Sequence, residues 1–170
     1  MIRTYGEKNI PLIECINPKY KRYRVRWDMQ PYSNEEMDDG VSFMEAKFGH
    51  RPTMAEIKDI ILSWMNEQID ERIISGFTWN GMQVWLSSEN QFNYKAAYDI
   101  AVQTEGANLP IVFKFGTNEH PVYHEFSTVD ELTDFYIKAM THINAQLLAG
   151  WKEKDSYDWS DYENYLKQTI

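Results

Sequence analysis

Cysteine is almost absent from this chain, whose 170 residues contain only Cys15. A single thiol cannot form an internal disulfide bond, which excludes a secreted disulfide scaffold and favours a reducing cytoplasm or a particle assembled inside a cell. No apolar run approaches the roughly 20 residues of a membrane helix, and the first eight residues lack the apolar stretch of a signal peptide. We therefore expect a protein with no membrane partner.

The residue patterns of common active sites are also missing. There is no pair of cysteines, no glycine-rich phosphate loop and no nucleophile elbow. His120 and His124 are four residues apart, but the residues between them favour a strand, which would separate the two side chains by about 13 Å, too far to share one zinc ion. Ser87 and Ser88 fit helix caps better than nucleophiles. We expect no enzyme activity, no metal and no cofactor.

Positive charge is scarce overall and concentrated at one end. The chain carries a net charge of −9, but residues 1–27 hold seven Lys or Arg against two Glu, a net of +5. The remaining residues hold ten Lys or Arg against twenty-four acidic residues, a net of −14. This balance and a pI of about 4.9 argue against a dedicated nucleic-acid binder, so we expect no nucleic-acid partner.

The basic segment reads as a strand with two different faces. Period-2 alternation places three arginines on one face and Tyr23, Val25 and Trp27 on the other, buried face. The arginines either contact a phosphate or an acidic protein, or pair with carboxylates across the sheet and protect an exposed edge. The candidate partner-binding residues are Arg22, Arg24, Arg26 and Trp27.

Two copies of one element order, a hairpin followed by a helix, lie between residues 76 and 153. In the first copy Asn80-Gly81 separates two aromatic-rich runs, which predicts a type I′ turn. The next helix is expected to begin at Ser87 or Ser88. In the second copy, runs at 109–115 and 122–126 flank a looser turn. A capping box then opens the last long helix, and its members are Thr128 and Glu131.

Three further segments have local signals. A capping box at 53–56 opens a helix that is expected to run to about Ser75, before Gly76. A third capping box at 160–163 opens a short terminal helix. Residues 41–48 fit either a strand or a short helix.

These elements predict an α+β fold. Its small antiparallel sheet comes from the two ββα units, with the four short strands side by side and the long helices packed on one face. An extended N-terminal arm completes it. We predict that residues 1–52 contain this arm, the basic strand and a polar linker at 31–40. Residues 53–170 should form a compact αββαββα domain with a short C-terminal helix.

A mixture of aromatic and amide side chains surrounds the first hairpin and the helix after it. Such mixtures often bind sugars or peptides. Alternatively, the amides bond to the backbone of loops and the tryptophans fill the core. Both interpretations stay open, because the sequence does not fix the strand register that decides which way the tryptophans point. The candidate ligand-binding residues are Trp79, Trp85, Asn90 and Tyr94.

Several runs of the chain carry a family resemblance, namely Gly76-Phe77, Trp79-Asn80-Gly81, Val84-Trp85-Leu86-Ser87, Glu89 through Asp99, Leu109-Pro110, Phe113-Lys114-Phe115-Gly116, Gly150-Trp151 and Lys154-Asp155. Together they resemble domain of unknown function family 4376. The resemblance covers about residues 53–163, and it implies a family of small proteins and carboxy-terminal domains that bacteriophages and prophages encode, often near tail or tail-fibre genes. It implies no catalytic residue.

The resemblance and the missing active site together favour a non-enzymatic phage protein. We expect it to act through protein–protein contacts, as a tail-associated structural component or an accessory of tail-fibre assembly. A glycan- or peptide-binding module is the alternative. A protein partner or a homo-oligomer is expected, located in the host cytoplasm during assembly, with the virion as the other location.

Overall fold

The computed structural model describes residues 2–34 and 37–168. The fold is α+β, as predicted, and the chain forms two compact units. Unit 1 comprises residues up to Trp64 together with those from Tyr157 onward, and unit 2 comprises Met65–Ser156. The unit boundary therefore lies inside the first helix, whereas the sequence placed a boundary at 52/53.

Unit 1 contains a four-stranded antiparallel sheet. Its strands are β1 (Ile2–Glu7), β2 (Ile13–Asn17), β3 (Arg22–Asn34) and β4 (Met37–Phe48), in the order β1-β4-β3-β2. The two long strands lie at the centre of the sheet, and the two short strands form its edges.

The segment predicted as an N-terminal arm is extended, but it pairs with strands of its own unit. Ile2 lies opposite Glu45 of β4, and Ile13 lies opposite Val25 of β3. Sequence reasoning left this segment without a defined partner, because it did not pair the predicted basic strand with any other segment and left residues 41–48 as a strand or a short helix. An extended chain satisfies its backbone groups wherever a strand edge is available.

The predicted polar linker at 31–40 is wrong for the residues that the structure describes. Residues 31–34 continue β3, residues 37–40 begin β4, and the two strands pair with each other. Residues 41–48, predicted as strand or short helix, belong to β4. The polar side chains misled the prediction, because an antiparallel pair of strands can carry polar side chains on a face turned to water.

Helix α1 (Met54–Ser75) begins with the predicted capping box. The N–H of Thr53 donates to Oε2 of Glu56 (2.8 Å), and the N–H of Glu56 donates to Oγ1 of Thr53 (3.3 Å). Helix α4 (Ser160–Gln168) is also present, but its predicted Ser160 cap is not the one observed: the Ser160 N–H donates to Oδ1 of Asp158 at 2.9 Å. This bond also lowers the pKa of Asp158.

Unit 2 contains the two predicted hairpins. Strands β5 (Phe77–Trp79) and β6 (Met82–Val84) join at Asn80 and Gly81, which both have positive φ, 48° and 76°. This confirms the predicted turn. Strands β7 (Ile111–Gly116) and β8 (Pro121–Phe126) form the second hairpin.

The prediction that these four strands form one sheet is wrong. Each hairpin is a separate two-stranded antiparallel sheet. Strands β5 and β6 have only three residues each, so side chains rather than shared backbone hydrogen bonds join the hairpins. Their core is unusually aromatic, and its most buried aromatic members are Trp79, Tyr94, Phe115, Phe126 and Phe135.

Helices α2 (Ser88–Gln103) and α3 (Val129–Asp155) follow the hairpins with the expected caps. Ser87 accepts from the N–H of Asn90, and Thr128 accepts from the N–H of Glu131. Among the described residues, no helix is both long and apolar enough to span a bilayer.

Candidate functional site

We call the three arginines on one face of β3, Arg22, Arg24 and Arg26, the arginine row. Its last member, Arg26, is fully enclosed. Arg26 is 1% exposed, and its Nε donates to Oε2 of Glu45 at 3.0 Å. Its two terminal nitrogens donate to Glu14 Oε2 (2.6 Å) and to the carbonyl of Pro11 (2.8 Å). These partners use the donors that a ligand would need, so Arg26 does not belong to a free binding surface. The alternative of carboxylate pairing across the sheet describes Arg26 correctly.

Trp27 is likewise unavailable to a partner, because its side chain is fully buried. Its ring meets Trp64 edge-on, with centroids 6.4 Å apart. The predicted burial of this strand face is confirmed. The proposal of Trp27 as a partner-binding residue is wrong for the same reason.

The other end of the row has a different environment. Arg24 lies directly opposite Lys47 of β4, and Arg22 lies two residues away on the same strand. Arg24 Nε is 3.6 Å from Oε1 of Glu45, which is an ion pair but too long for a hydrogen bond. Arg22 and Lys47 are exposed. The row therefore divides into a neutralised end at Arg26 and a cationic end at Arg22 and Arg24.

In unit 2, Trp79 is a core residue, which corrects its assignment as a ligand-binding residue. It is 2% exposed, and its ring stacks on Phe126 with centroids 5.2 Å apart. Its Nε1 donates to Oδ2 of Asp134 at 3.0 Å. Lys138 and then this indole lower the pKa of Asp134. The bond explains how a buried tryptophan satisfies its N–H.

Tyr94 is also mainly a core residue rather than an exposed ligand-binding residue, and it reaches the surface only in the wall of a pocket. Its ring is 4% exposed and lies 4.8 Å from that of Phe113 and 5.0 Å from that of Phe135, between centroids. Burial raises the pKa of Tyr94 to about 12. The hydroxyl is therefore protonated at neutral pH.

Trp85 and Asn90 remain at the surface and lie together. Trp85 is 48% exposed, and its carbonyl accepts from Nδ2 of Asn90 at 2.8 Å. The register explains the difference between the tryptophans. Trp79 and Val84 are buried, and Trp85 follows Val84, so strand alternation turns it to the opposite side.

Trp85 and Asn90 border a groove between α2 and β7, which we call the α2–β7 groove. It consists of two pockets of about 390 and 470 Å³ that share Asn90 and Lys114. Across the two pockets, every residue of β7 from Ile111 to Gly116 lines it. The other lining residues are Gln83, Asn93, Tyr94, Ala97, Ile100, Asn108, Thr117 and Asn118.

The histidines take structural positions. Nε2 of His124 lies 2.9 Å from Oε1 of Glu131, and its ring meets Trp79 edge-on. Nε2 of His142 lies 3.0 Å from the carbonyl of Arg72. In the described part of the chain, no group of three or more His, Cys, Asp or Glu side chains is placed to hold a metal ion.

Sequence reasoning missed the residues that complete both regions. Glu45 and Lys47 join the arginine row from β4, and Lys114 joins the groove from β7. Only strand pairing brings them near, and no local motif marks them. The alternation in residues 41–48 could have suggested the first two.

No protein family, curated protein or solved structure matches the chain significantly. The resemblance to family 4376 therefore stays a prediction.

Proposed function

We propose that this is a non-enzymatic phage or prophage protein that binds another protein through the α2–β7 groove. The phage context, as a tail-associated component or an accessory of fibre assembly, rests on the sequence resemblance alone. The mode of binding rests on the groove. The two parts are tested separately below.

The observation that carries the binding mode is the position of β7. This strand is hydrogen-bonded to β8 on one edge, and β6 lies near it, but no described strand forms a hydrogen-bonded ladder with its second edge. All six of its residues line the groove. An extended peptide that adds to such an edge gains backbone hydrogen bonds for affinity, and pockets for alternate side chains supply specificity.

The groove offers chemistry suited to a polypeptide. Trp85 contributes an exposed indole at one end, and Ile100 and Val112, which are 48% and 51% exposed, contribute apolar surface at the other. The amides of Asn90 and Asn93 can donate to carbonyls and accept from N–H groups. A bound segment would thus meet both apolar and amide contacts along its length.

A glycan is the second candidate ligand. The observation that favours it is the exposed indole of Trp85 beside the amides of Gln83, Asn90 and Asn118. A sugar ring would stack on this indole and occupy the pocket of about 390 Å³ alone. A peptide would occupy the full length of β7.

Amide hydrogen exchange distinguishes the two ligands. Synthetic ten-residue peptides selected for binding from a random library, and a panel of oligosaccharides, are added separately to the protein. We expect selected peptides to slow exchange at alternate amides of 111–116, and Trp85→Ala to weaken them. Tyr123→Ala is the matched control, because this exposed aromatic lies on β8 outside the groove. Sugar binding at Trp85 with unchanged β7 amides would replace the peptide proposal.

The phage context is tested on the particle. Particles of the phage or prophage that encodes the chain are purified and analysed by mass spectrometry, with wild-type, Trp85→Ala and Tyr123→Ala chains. We expect the chain, or the fibre that it helps to assemble, to be lost from particles made with Trp85→Ala only. Normal particles from a strain that lacks the chain altogether would contradict the assembly role.

A further inference from the structure

The cationic end of the arginine row contains three positive side chains on neighbouring strands. Arg24 and Lys47 are direct cross-strand partners, and Arg22 is two residues from Arg24. Directly opposed residues project on the same face of a sheet, as do residues two apart. The three charges therefore share one small surface of unit 1.

Like charges in direct opposition destabilise a sheet, so this arrangement needs an explanation. At Arg26, two carboxylates and a carbonyl surround the guanidinium. In contrast, among the described residues neither Arg22 nor Lys47 has a carboxylate within ion-pairing distance, and Arg24 has only the long contact to Glu45. The same row is thus neutralised at one end and left cationic at the other.

The guanidinium of Arg24 is only partly satisfied by hydrogen bonds. Its Nε atom is buried, and within the described chain it has no hydrogen-bond acceptor. A buried donor without an acceptor destabilises the folded protein. The Arg24 side chain as a whole is 36% exposed, so an oxyanion beside its accessible part would offset the repulsion between Arg24 and Lys47.

There is space for such a ligand at this position. A pocket of about 320 Å³ is lined by all three cationic residues. A planar guanidinium matches the oxygens of a carboxylate or a phosphate, and an ammonium adds a compact point charge. The remaining lining residues are Ile16, Tyr23, Phe48 and Gly49.

We propose that Arg22, Arg24 and Lys47 form a binding site for one compact oxyanion, a carboxylate or a phosphate group. The site is independent of the α2–β7 groove and of the function proposed for it. An extended polyanion such as duplex DNA fits poorly, because the whole chain has a net charge of −9 and repels it beyond the site.

The test is a titration of the full chain followed by NMR at the Nε–H signals of arginine. Inorganic phosphate and sodium acetate are the two probes, and sodium chloride keeps the ionic strength constant. We expect both to shift the Arg24 signal saturably in the millimolar range. Acetate binding within about threefold of phosphate would identify a carboxylate as the natural group, and much tighter phosphate would identify a phosphate.

Variants distinguish binding at a specific anion site from nonspecific attraction of anions to the basic segment. Arg24→Gln should weaken binding by about tenfold or more, since a hydrogen bond to a charged group is lost. Arg22→Gln and Lys47→Gln, which remove exposed side chains and spare the fold, should weaken it as well. Lys19→Gln is the control, because it removes one charge from the same basic segment outside the pocket.

Two results would overturn the proposal. In the first, the shifts rise without saturation and are equal in wild-type and all variants, which means that no site exists. In the second, a duplex DNA binds far more tightly than phosphate, and the logarithm of its binding constant falls with the logarithm of the salt concentration with a slope of about −0.9 per phosphate contacted. That outcome would make the row a polyanion surface instead.

Discussion

The hydroxyl of Tyr162 donates a hydrogen bond of 2.7 Å to the backbone carbonyl of Arg26, across 136 residues of sequence. The phenol is 1% exposed, and burial raises its pKa above the ordinary value. Helix α4 therefore contributes a buried side chain to the sheet of unit 1, and the two ends of the chain share one core.

Replacing Tyr162 with Phe should lower the free energy of unfolding by about 1–2 kcal/mol, because the buried carbonyl of Arg26 loses its donor while the ring is kept. Chemical denaturation of both proteins measures the difference. Tyr20→Phe serves as control, since Tyr20 is 59% exposed and should change stability very little. Equal stability of wild-type and Tyr162→Phe would show that the bond contributes nothing.

Removing the buried guanidinium should be more costly. Arg26→Gln leaves Glu45, whose side chain is 8% exposed, without its closest cation, and an uncompensated buried charge costs about 3–5 kcal/mol. Arg22→Gln, in the same row but exposed, should cost less than about 0.5 kcal/mol. Denaturant midpoints of the two variants compare them directly. Similar losses would mean that Arg26 is less enclosed in solution.

Elements with local signals were predictable, and elements that depend on distant pairing were not. The Asn80-Gly81 turn and the Thr53 cap lie where the sequence indicated, because each is decided by a few adjacent residues. Strands β1 and β2 carry no such signal. Their pairing with β4 and β3 is decided by edges that form only when β3 and β4 pair with each other.

The same distinction between local and distant signals applies to the candidate site residues. Alternation along β3 correctly predicted that Trp27 faces the core, but not that Glu14 and Glu45 enclose Arg26 from both neighbouring strands. For the tryptophans, hairpin register decided between core and surface, and a three-residue strand gives too short a pattern to read it. Trp79 is buried and Trp85 exposed for that reason.

A close approach between α1 and α3 within unit 2 gives a third prediction. A β-carbon added to Gly150 would overlap the side chain of Ile69. Gly150→Ala gains about 1 kcal/mol of helix propensity, but overpacking typically costs about 1–3 kcal/mol. We expect a net loss of stability.

Calorimetry of two further variants checks this cause. Ile69→Val shortens the side chain that is overlapped, so Gly150→Ala should cost less in that background. Gly49→Ala should be nearly neutral, since no atom lies within 4 Å of the added carbon. A stabilised Gly150→Ala protein would mean that Ile69 moves aside freely.

The cap of α1 should make stability depend on pH. Hydrogen bonds from the backbone and hydroxyl of Thr53, and then from His50, lower the pKa of Glu56 from 4.5 to about 2. A carboxylate with a lowered pKa stabilises the fold fully above its unfolded value, and this contribution is lost as the pH falls. The stability difference between wild-type and Glu56→Gln should therefore be largest above pH 4.5 and shrink towards pH 2.

Denaturation at a series of pH values measures this difference. Thr53→Ala removes the side-chain donor of the cap, so the pH dependence that Glu56 contributes should be weaker in that background. A difference between wild-type and Glu56→Gln that stays constant from neutral pH to pH 2 would contradict the assignment.

Replacing each of the two tryptophans of the first hairpin should affect different properties, Trp79 the stability of the fold and Trp85 the affinity for peptides. Trp79 is 2% exposed and stacks on Phe126, so Trp79→Ala should cost about 3–5 kcal/mol by leaving a large cavity. Trp85 is 48% exposed, and Trp85→Ala should cost less than about 1 kcal/mol.

Of these two tryptophans, only Trp85 lines the α2–β7 groove. Trp85→Ala should therefore remain folded while it loses affinity for the selected peptides. A folded Trp85→Ala protein that binds those peptides as well as wild-type would remove the indole from the proposed site, whereas a severe loss of stability would show that Trp85 belongs to the core.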